Sequence, residues 1–187
     1  MKKMGSRCEI RLSGAGGQGL ILVGKILAES AAVYDGKNAT HSQSYGPEAR
    51  GVTCKSDVII SDSEINFPKI GQLDILVAFA QEACDKYISC LKPDGTLILD
   101  SSLVTRIPAQ VERIIQLPFQ KISQDELGID SMGNIIVLGV LTHITDFLSV
   151  ESVESAILSR VPKGKEEINL KAFKLGLRIA ENLAASV

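Results

Sequence analysis

Residues 10 to 27 constrain the fold more than any other stretch. Ile10 and Leu12 alternate with Arg11 and Ser13, the period of a strand with two unlike faces. Gly14, Gly16 and Gly19 then set a G-x-G-x-x-G spacing, and Leu20-Ile-Leu-Val-Gly-Lys-Ile-Leu27 continues as an apolar helix. Glycine reaches positive φ without a Cβ clash, so the chain turns tightly and its N–H groups can face a ligand. Those groups and the helix dipole together favour an anion at the helix start. A strand–helix turn that binds nothing has the same spacing. The strand before it and the helix after it favour the ligand-facing reading, which puts Gly14, Gly16, Gly17, Gln18 and Gly19 at the ligand.

Strands and helices alternate beyond this point. Asn38 to Ser42 and Val52 to Ser61 read as strands, and Asp74-Ile-Leu-Val-Ala-Phe-Ala80 is the continuous apolar run of a strand covered on both faces. A helix is expected over Gln81–Leu91, ended by the Pro93-Asp-Gly95 turn, with further strands at Thr96–Asp100 and Val111–Leu117. Ser123–Leu127 reads as a helical turn, and Ser131 is placed to cap a long apolar helix over Met132–Phe147. Glu151–Arg160 and Glu166–Ala185 complete the pattern, the last with Leu170, Phe173, Leu177, Ala180 and Ala184 on one stripe. The order predicts an α/β, Rossmann-like three-layer sandwich with a mainly parallel sheet and a helical C-terminal third. At 187 residues the chain is read as a single domain over 1–187, with a 45% hydrophobic, 4% aromatic composition that makes its core aliphatic. The helices at 20–33 and 132–147 are apolar on nearly every face, more than one sheet needs, so the isolated chain is expected to self-associate or to need partners.

Composition excludes several functions. A net charge of −2 gives no electrostatic case for nucleic acid. No signal-type apolar run follows the basic start, and Lys25 and Glu29 break a helix already too short to span a membrane, so a cytoplasmic location is expected. Cys8, Cys54, Cys84 and Cys90 form no C-x-x-C, a spacing that suits neither zinc nor an iron–sulfur cluster. Any electron-carrying cluster would then lie on another chain. No metal site and no complete catalytic set can be assembled.

The dinucleotide reading of the glycine motif needs an acid at the end of the second strand to hold the ribose hydroxyls. Asp35 stands at nearly the right distance but in the Asp35-Gly36 turn, before that strand begins. The strand delivers Thr40, His41 and Ser42 instead, which argues against classical NAD binding. His41 fits a strand-end hydrogen bond as well as acid–base work, and His143 sits in an apolar helix as a packed or interface residue. The chemistry concentrates in Gln43-Ser-Tyr-Gly-Pro-Glu-Ala-Arg-Gly51, where Ser44 and Tyr45 offer hydroxyls, Gly46 shapes the backbone and Arg50 carries a planar cation suited to phosphate or carboxylate. Arg50 could equally pair with Glu48 or Asp57. This loop and the glycine turn should meet beyond the carboxyl ends of the strands.

These stretches resemble the gamma subunit of 2-oxoacid:ferredoxin oxidoreductases, and an internal domain of the single-chain pyruvate enzymes. The resemblance rests on Gly14-Ala-Gly-Gly-Gln-Gly19, Gln43–Gly51, Ser56-Asp57, Val58–Asp62, Pro68, Asp74–Ala78, Gln81–Tyr87 and the Gly133–Gly139 helix. It implies an oxidoreductase component that supports thiamine diphosphate-dependent oxidative decarboxylation of a 2-oxoacid to its coenzyme A thioester, with electrons passed to ferredoxin. Its implied partners are alpha and beta chains, with or without a delta chain. Thiamine diphosphate, Mg2+ and iron–sulfur clusters would lie on those partners, and no cofactor is expected on this chain alone. Coenzyme A is the implied co-substrate, mapped onto Gly16–Gly19 and Ser44–Arg50. The likeness leans to 2-oxoglutarate and branched-chain members over pyruvate members. Val52 stands where many relatives carry a second glycine, so the loop's exit is expected to differ. The competing reading is a stand-alone nucleotide- or anion-binding module with a regulatory or scaffolding role.

Overall fold

The computed structural model describes residues 6–44, 53–107, 109 and 111–185. Among these, the strands are β1 (Arg7–Ala15), β2 (Asn38–Ser44), β3 (Thr53–Ser61), β4 (Leu73–Phe79), β5 (Leu91–Asp100) and β6 (Arg113–Leu117). The helices are α1 (Leu20–Glu29), α2 (Gln81–Tyr87), α3 (Phe119–Leu127), α4 (Gly133–Thr145), α5 (Val150–Arg160) and α6 (Glu166–Ala185). A π-helical turn, Ser30–Tyr34, prolongs α1.

All six strands form one sheet in the order β2-β3-β1-β4-β5-β6. β1, β4, β5 and β6 run parallel, while β3 lies antiparallel to both β1 and β2. The sheet is therefore mainly parallel with an antiparallel flank. β2 and β3 pair as direct antiparallel neighbours. The carboxyl ends of β1, β2, β4, β5 and β6 consequently share one edge.

The apolar run of β4 is explained by cover on both sides. Ile75, Val77 and Phe79 join α1, α4, α5 and α6 in the large core, which is aliphatic apart from a few phenylalanines. Leu76 and Ala78 face the other way, against Leu73, Leu97, Leu99, Val104 and Cys84 of α2. Helices on both faces give the three layers. Further along the second face the sheet becomes polar. There Arg11 and Asp57, opposite each other in the β1–β3 register, form a buried two-point ion pair at 2.7 and 2.8 Å. Lys55 approaches the same carboxylate at 3.3 Å, and the Arg11 guanidinium lies 4.6 Å from the Tyr87 ring centre. Burial works against the Arg11 charge, but the hydrogen bonds and field of Asp57 more than offset it and hold its pKa above the ordinary arginine value.

Several boundaries differ from the sequence expectations. The helix expected over Gln81–Leu91 ends at Tyr87, and after one 3-10 turn (Ile88–Cys90) Leu91 already enters β5. Pro93-Asp-Gly95 is absorbed into that strand as an irregularity: Leu73 pairs with Leu91, but Ile75 pairs with Thr96. The segment expected as a helical turn at Ser123–Leu127 starts earlier, at Phe119. Asp100, fully buried at the end of β5, explains that start, because its Oδ2 accepts the Gln120 N–H at 2.9 Å.

The apolar helix expected over 132–147 needs no second subunit. Every residue of α4 from Gly133 to Thr142 is buried within the chain. α6 lies across it so closely that a Cβ added at Gly176 would sit 2.0 Å from the Ile136 carbonyl oxygen, and one at Gly139 would sit 2.3 Å from that of Phe173. Apolar surface remains elsewhere: Val33, at the π turn after α1, is 67% exposed, and Tyr34 and Phe67 are exposed as well. Among the described residues no helix is long and apolar enough to cross a membrane.

The α4–α6 crossing gives a test. Gly→Ala in an exposed helix gains roughly 0.5–1 kcal/mol of helix propensity, whereas overpacking a tight contact costs about 1–3 kcal/mol. The clash is with backbone, so the second effect wins. Gly176→Ala should lower the urea midpoint of unfolding, and an equal or higher midpoint would show that the helices are not in contact there.

Candidate functional site

The glycine turn sits where β1 leaves the sheet, beside the end of β4. Gln18 braces it from within: its Oε1 accepts the Ala15 N–H at 2.7 Å, and its Nε2 donates to the Phe79 carbonyl at 2.9 Å. One side chain thus ties the ends of the two parallel strands together. Gly14 is still part of β1 and buried, pressed against Gln18, Leu20 and Phe79. Gly16 and Gly17 are exposed with open space beside them, and Gly17 has φ +95°. Gly19 has φ +73° and stands at the α1 N-terminus, which has no side-chain cap.

A second helix start meets this turn. α4 begins at Gly133, after a 3-10 turn over Asp130–Met132, and no side chain caps its first turn either. Ser131, expected as the cap, lies inside that 3-10 turn. Met132, the residue at the cap position, donates its own N–H to Ser123 Oγ at 3.1 Å. Asn134 joins the two helix starts: its Nδ2 donates to the Gly19 carbonyl at 3.3 Å. The approach requires glycine, since a Cβ on Gly19 would lie 2.2 Å from that Nδ2. Between them lies a cleft of about 150 Å³ lined by Gly17, Gln18, Phe79, Gln120, Asp130, Ser131, Gly133 and Asn134. It opens at the carboxyl ends of β1 and β4, where the chain connections diverge to opposite sides of the sheet.

The other expected site residues divide into two groups. Ser44 ends β2, is exposed, and pairs with Lys55, while Thr53 pairs with Ala15. The strands flanking residues 45–52 therefore finish and begin on the edge that carries the glycine turn. Tyr45, Gly46 and Arg50 lie outside the described residues, as does Val52.

Asp35 serves the fold, in keeping with its place before the second strand. Its carboxylate accepts the Ser149 N–H at 2.9 Å and the hydroxyls of Ser149 and Ser152 at 2.8 and 2.5 Å, fastening the start of α5. His41 Nε2 lies 2.9 Å from Ser56 Oγ, and burial, with Lys25 nearby, lowers its pKa below the ordinary histidine value. His143 is half-buried in the last turn of α4. Burial pushes the thiols of Cys8, Cys54 and Cys84 up, away from the thiolate form that bonds metals and attacks electrophiles. Among the described residues no three His, Cys, Asp or Glu side chains converge on a point that could hold a metal ion.

Comparison with known proteins agrees with this architecture. The profile of the pyruvate ferredoxin/flavodoxin oxidoreductase family matches residues 9–179, and the chain belongs to that family. It is 47% identical over 184 residues to the 2-oxoglutarate synthase subunit KorC of Methanocaldococcus jannaschii, covering 97% of this chain and 98% of that one. The crystal structure of the gamma subunit of a keto/oxoacid ferredoxin oxidoreductase from Geobacter sulfurreducens superposes with a TM-score of 0.86 at 46% identity, covering 95% of this chain and 98% of that one. A 2-oxoglutarate:ferredoxin oxidoreductase from Magnetococcus marinus, with 2-oxoglutarate, coenzyme A and succinyl-CoA bound, shares the fold. Its TM-score is 0.82 at 20% identity, over 96% of this chain and 32% of that one.

The Gly19–Asn134 contact can be measured by a mutant cycle. Gly19→Ala should destabilise the protein by about 1–2 kcal/mol from its left-handed backbone alone, with the clash added. Asn134→Ala in the same chain should remove only the clash part, leaving a coupling energy of roughly 0.5–3 kcal/mol between neighbours. Strictly additive losses in chemical denaturation would contradict the contact.

Proposed function

We propose that the chain acts as the gamma subunit of a heteromeric 2-oxoglutarate:ferredoxin oxidoreductase. The observation that carries this reading is the 47% identity to a 2-oxoglutarate synthase subunit across nearly the whole of both chains. Ketoisovalerate and pyruvate relatives match at 30% identity, which supports 2-oxoglutarate as the substrate. The chain works as one unit in the cytoplasm, with alpha and beta chains, with or without a delta chain, around it. Those chains hold thiamine diphosphate with Mg2+ and the iron–sulfur clusters, and pass electrons to ferredoxin. The burial of Cys8, Cys54 and Cys84 and the lack of any C-x-x-C spacing suit that division of labour.

This subunit's part is played at the carboxyl edge of the sheet. Coenzyme A approaches there, against Gly16, Gly17, Gln18 and Gly19 and the Ser44–Arg50 segment. The open space at Gly16 and Gly17 and the two uncapped helix starts support this placement. Exposed Val33, Tyr34 and Phe67 offer partner chains an apolar surface, and without partners the same surface promotes self-association.

The test is anaerobic affinity purification of the tagged chain from its native cells. Retention of a thiamine diphosphate-binding chain and a cluster-bearing chain is expected, with dye reduction that needs both 2-oxoglutarate and coenzyme A. Exchanging 2-oxoglutarate for pyruvate should cost well over tenfold in kcat/KM. A chain recovered alone that binds a nucleotide would overturn the reading in favour of a stand-alone module.

A further inference from the structure

The sheet ends differently on its two sides. β6 is five residues long and opens with Arg113, a short and charged margin of the kind that discourages pairing with another chain. β2 has no such guard. It runs for seven residues, Asn-Ala-Thr-His-Ser-Gln-Ser, with no proline, and His41 is its one titratable side chain. It is the last strand of the sheet, and among the described residues only β3 pairs with it. Asn38, Ser42, Gln43 and Ser44 are exposed. A row of N–H and C=O groups along its outer rim is therefore free to take a further strand.

The charges around this rim are unbalanced. On the α1 side, a Cβ added at Gly24 would lie 3.1 Å from the His41 ring, so the helix crosses the strand there and carries Lys25 alongside. Arg160 of α5 also acts on His41, but Glu29 already binds it. Burial, then the field of Lys25, with that of Arg160 added, lowers the His41 pKa even against the opposing charge of Asp57. On the other side, Asp57 stands opposite Ser42, and its carboxylate is shared by Arg11 and Lys55. Glu29 offsets Arg160 and Asp57 offsets Arg11, which leaves Lys25 on one face and Lys55 on the other in excess. Lys25 makes no ion pair among the described residues. A second copy of the chain would bring the same lysines against themselves.

We propose that the outer rim of β2 is a strand-addition site for an extended acidic segment of a different chain, whose carboxylates reach Lys25 on one face of the sheet and Lys55 on the other. Main-chain hydrogen bonds to β2 supply the contact, and the two lysines select an acidic sequence over a neutral or basic one. The inference rests on the proposed function only for the donor of that segment, a partner chain of the complex.

The experiment combines zero-length carbodiimide cross-linking with hydrogen–deuterium exchange on the anaerobically purified complex. The reagent joins a lysine amine to a carboxylate in direct contact. Lys25 or Lys55 is expected to link to an Asp or Glu of another subunit, and residues 38–44 to exchange more slowly in the complex than in the isolated chain. Lys25→Glu should weaken retention of that subunit roughly three- to tenfold at low salt, with a smaller effect at about 0.5 M NaCl, while Lys25→Arg should retain it. Equal exchange of 38–44 in both states, lysine links confined to this chain or a second copy of it, or retention of the Lys25→Glu protein within twofold of wild type would overturn the inference. A complex with an unprotected rim sinks the rim alone. A chain that purifies by itself sinks the subunit reading, and the probe is then the peptide Val-Glu-Val-Glu-Val-Glu. Slower exchange of 38–44 with this peptide, and not with its lysine counterpart, supports the rim, and unchanged exchange overturns it.

Discussion

The architecture of the candidate site depends on a missing Cβ. Gly19 allows the start of α4 to come within hydrogen-bonding distance of the start of α1, although the residues involved are 115 positions apart. A side chain at Gly19 would collide with the Asn134 amide and break the hydrogen bond that joins the two helix starts. Its left-handed backbone also turns the chain out of the sheet and into α1 within a few residues of Ala15. Gln18 completes the arrangement by bonding to the ends of both neighbouring parallel strands. The turn is thus held by the protein's own groups, while the outer faces of Gly16 and Gly17 stay open.

Two glycine contacts of a different kind hold α4 in place. Gly139 and Gly176 let α6 lie directly on α4, which buries a helix that is apolar on every side. The chain thereby covers inside itself a surface that sequence patterning assigned to partners. Val33, Tyr34 and Phe67 are among the apolar side chains that stay exposed. On the opposite face of the sheet the Arg11–Asp57 pair joins the antiparallel flank to the parallel part.

What could be read from the sequence follows from how local each signal is. β1, the glycine turn and α1 are contiguous, and their spacing alone located them. The unbroken apolar run of β4 announced burial on both faces. The stripe read on α6 gave its orientation in part: Phe173 and Ala180 are buried, Leu170 and Leu177 half-buried, and Ala184 is exposed. The order of the strands was beyond reach, because alternation reveals a strand but not its neighbour, and the antiparallel placement of β3 beside β1 rests on pairings 38 to 54 residues apart. Pro93-Asp-Gly95 misled, since the same residues that form a turn can also be tolerated as a strand irregularity. Asn134 left no trace in the periodicity: one polar residue at the start of an apolar helix reads as a cap, and only the fold brings it to Gly19. Arg11 was visible as the polar side of a strand, but its partner Asp57 lay 46 residues away.

The central claim is that the carboxyl edge of this sheet faces a reaction centre carried by partner chains. A cryo-electron microscopy map of the anaerobically purified complex tests it most directly. The account predicts that Gly17, Ser44 and Asn134 border a cleft leading to the thiamine diphosphate of a neighbouring chain. A map in which this edge points to solvent, with the partners docked only on the helical faces, would contradict it.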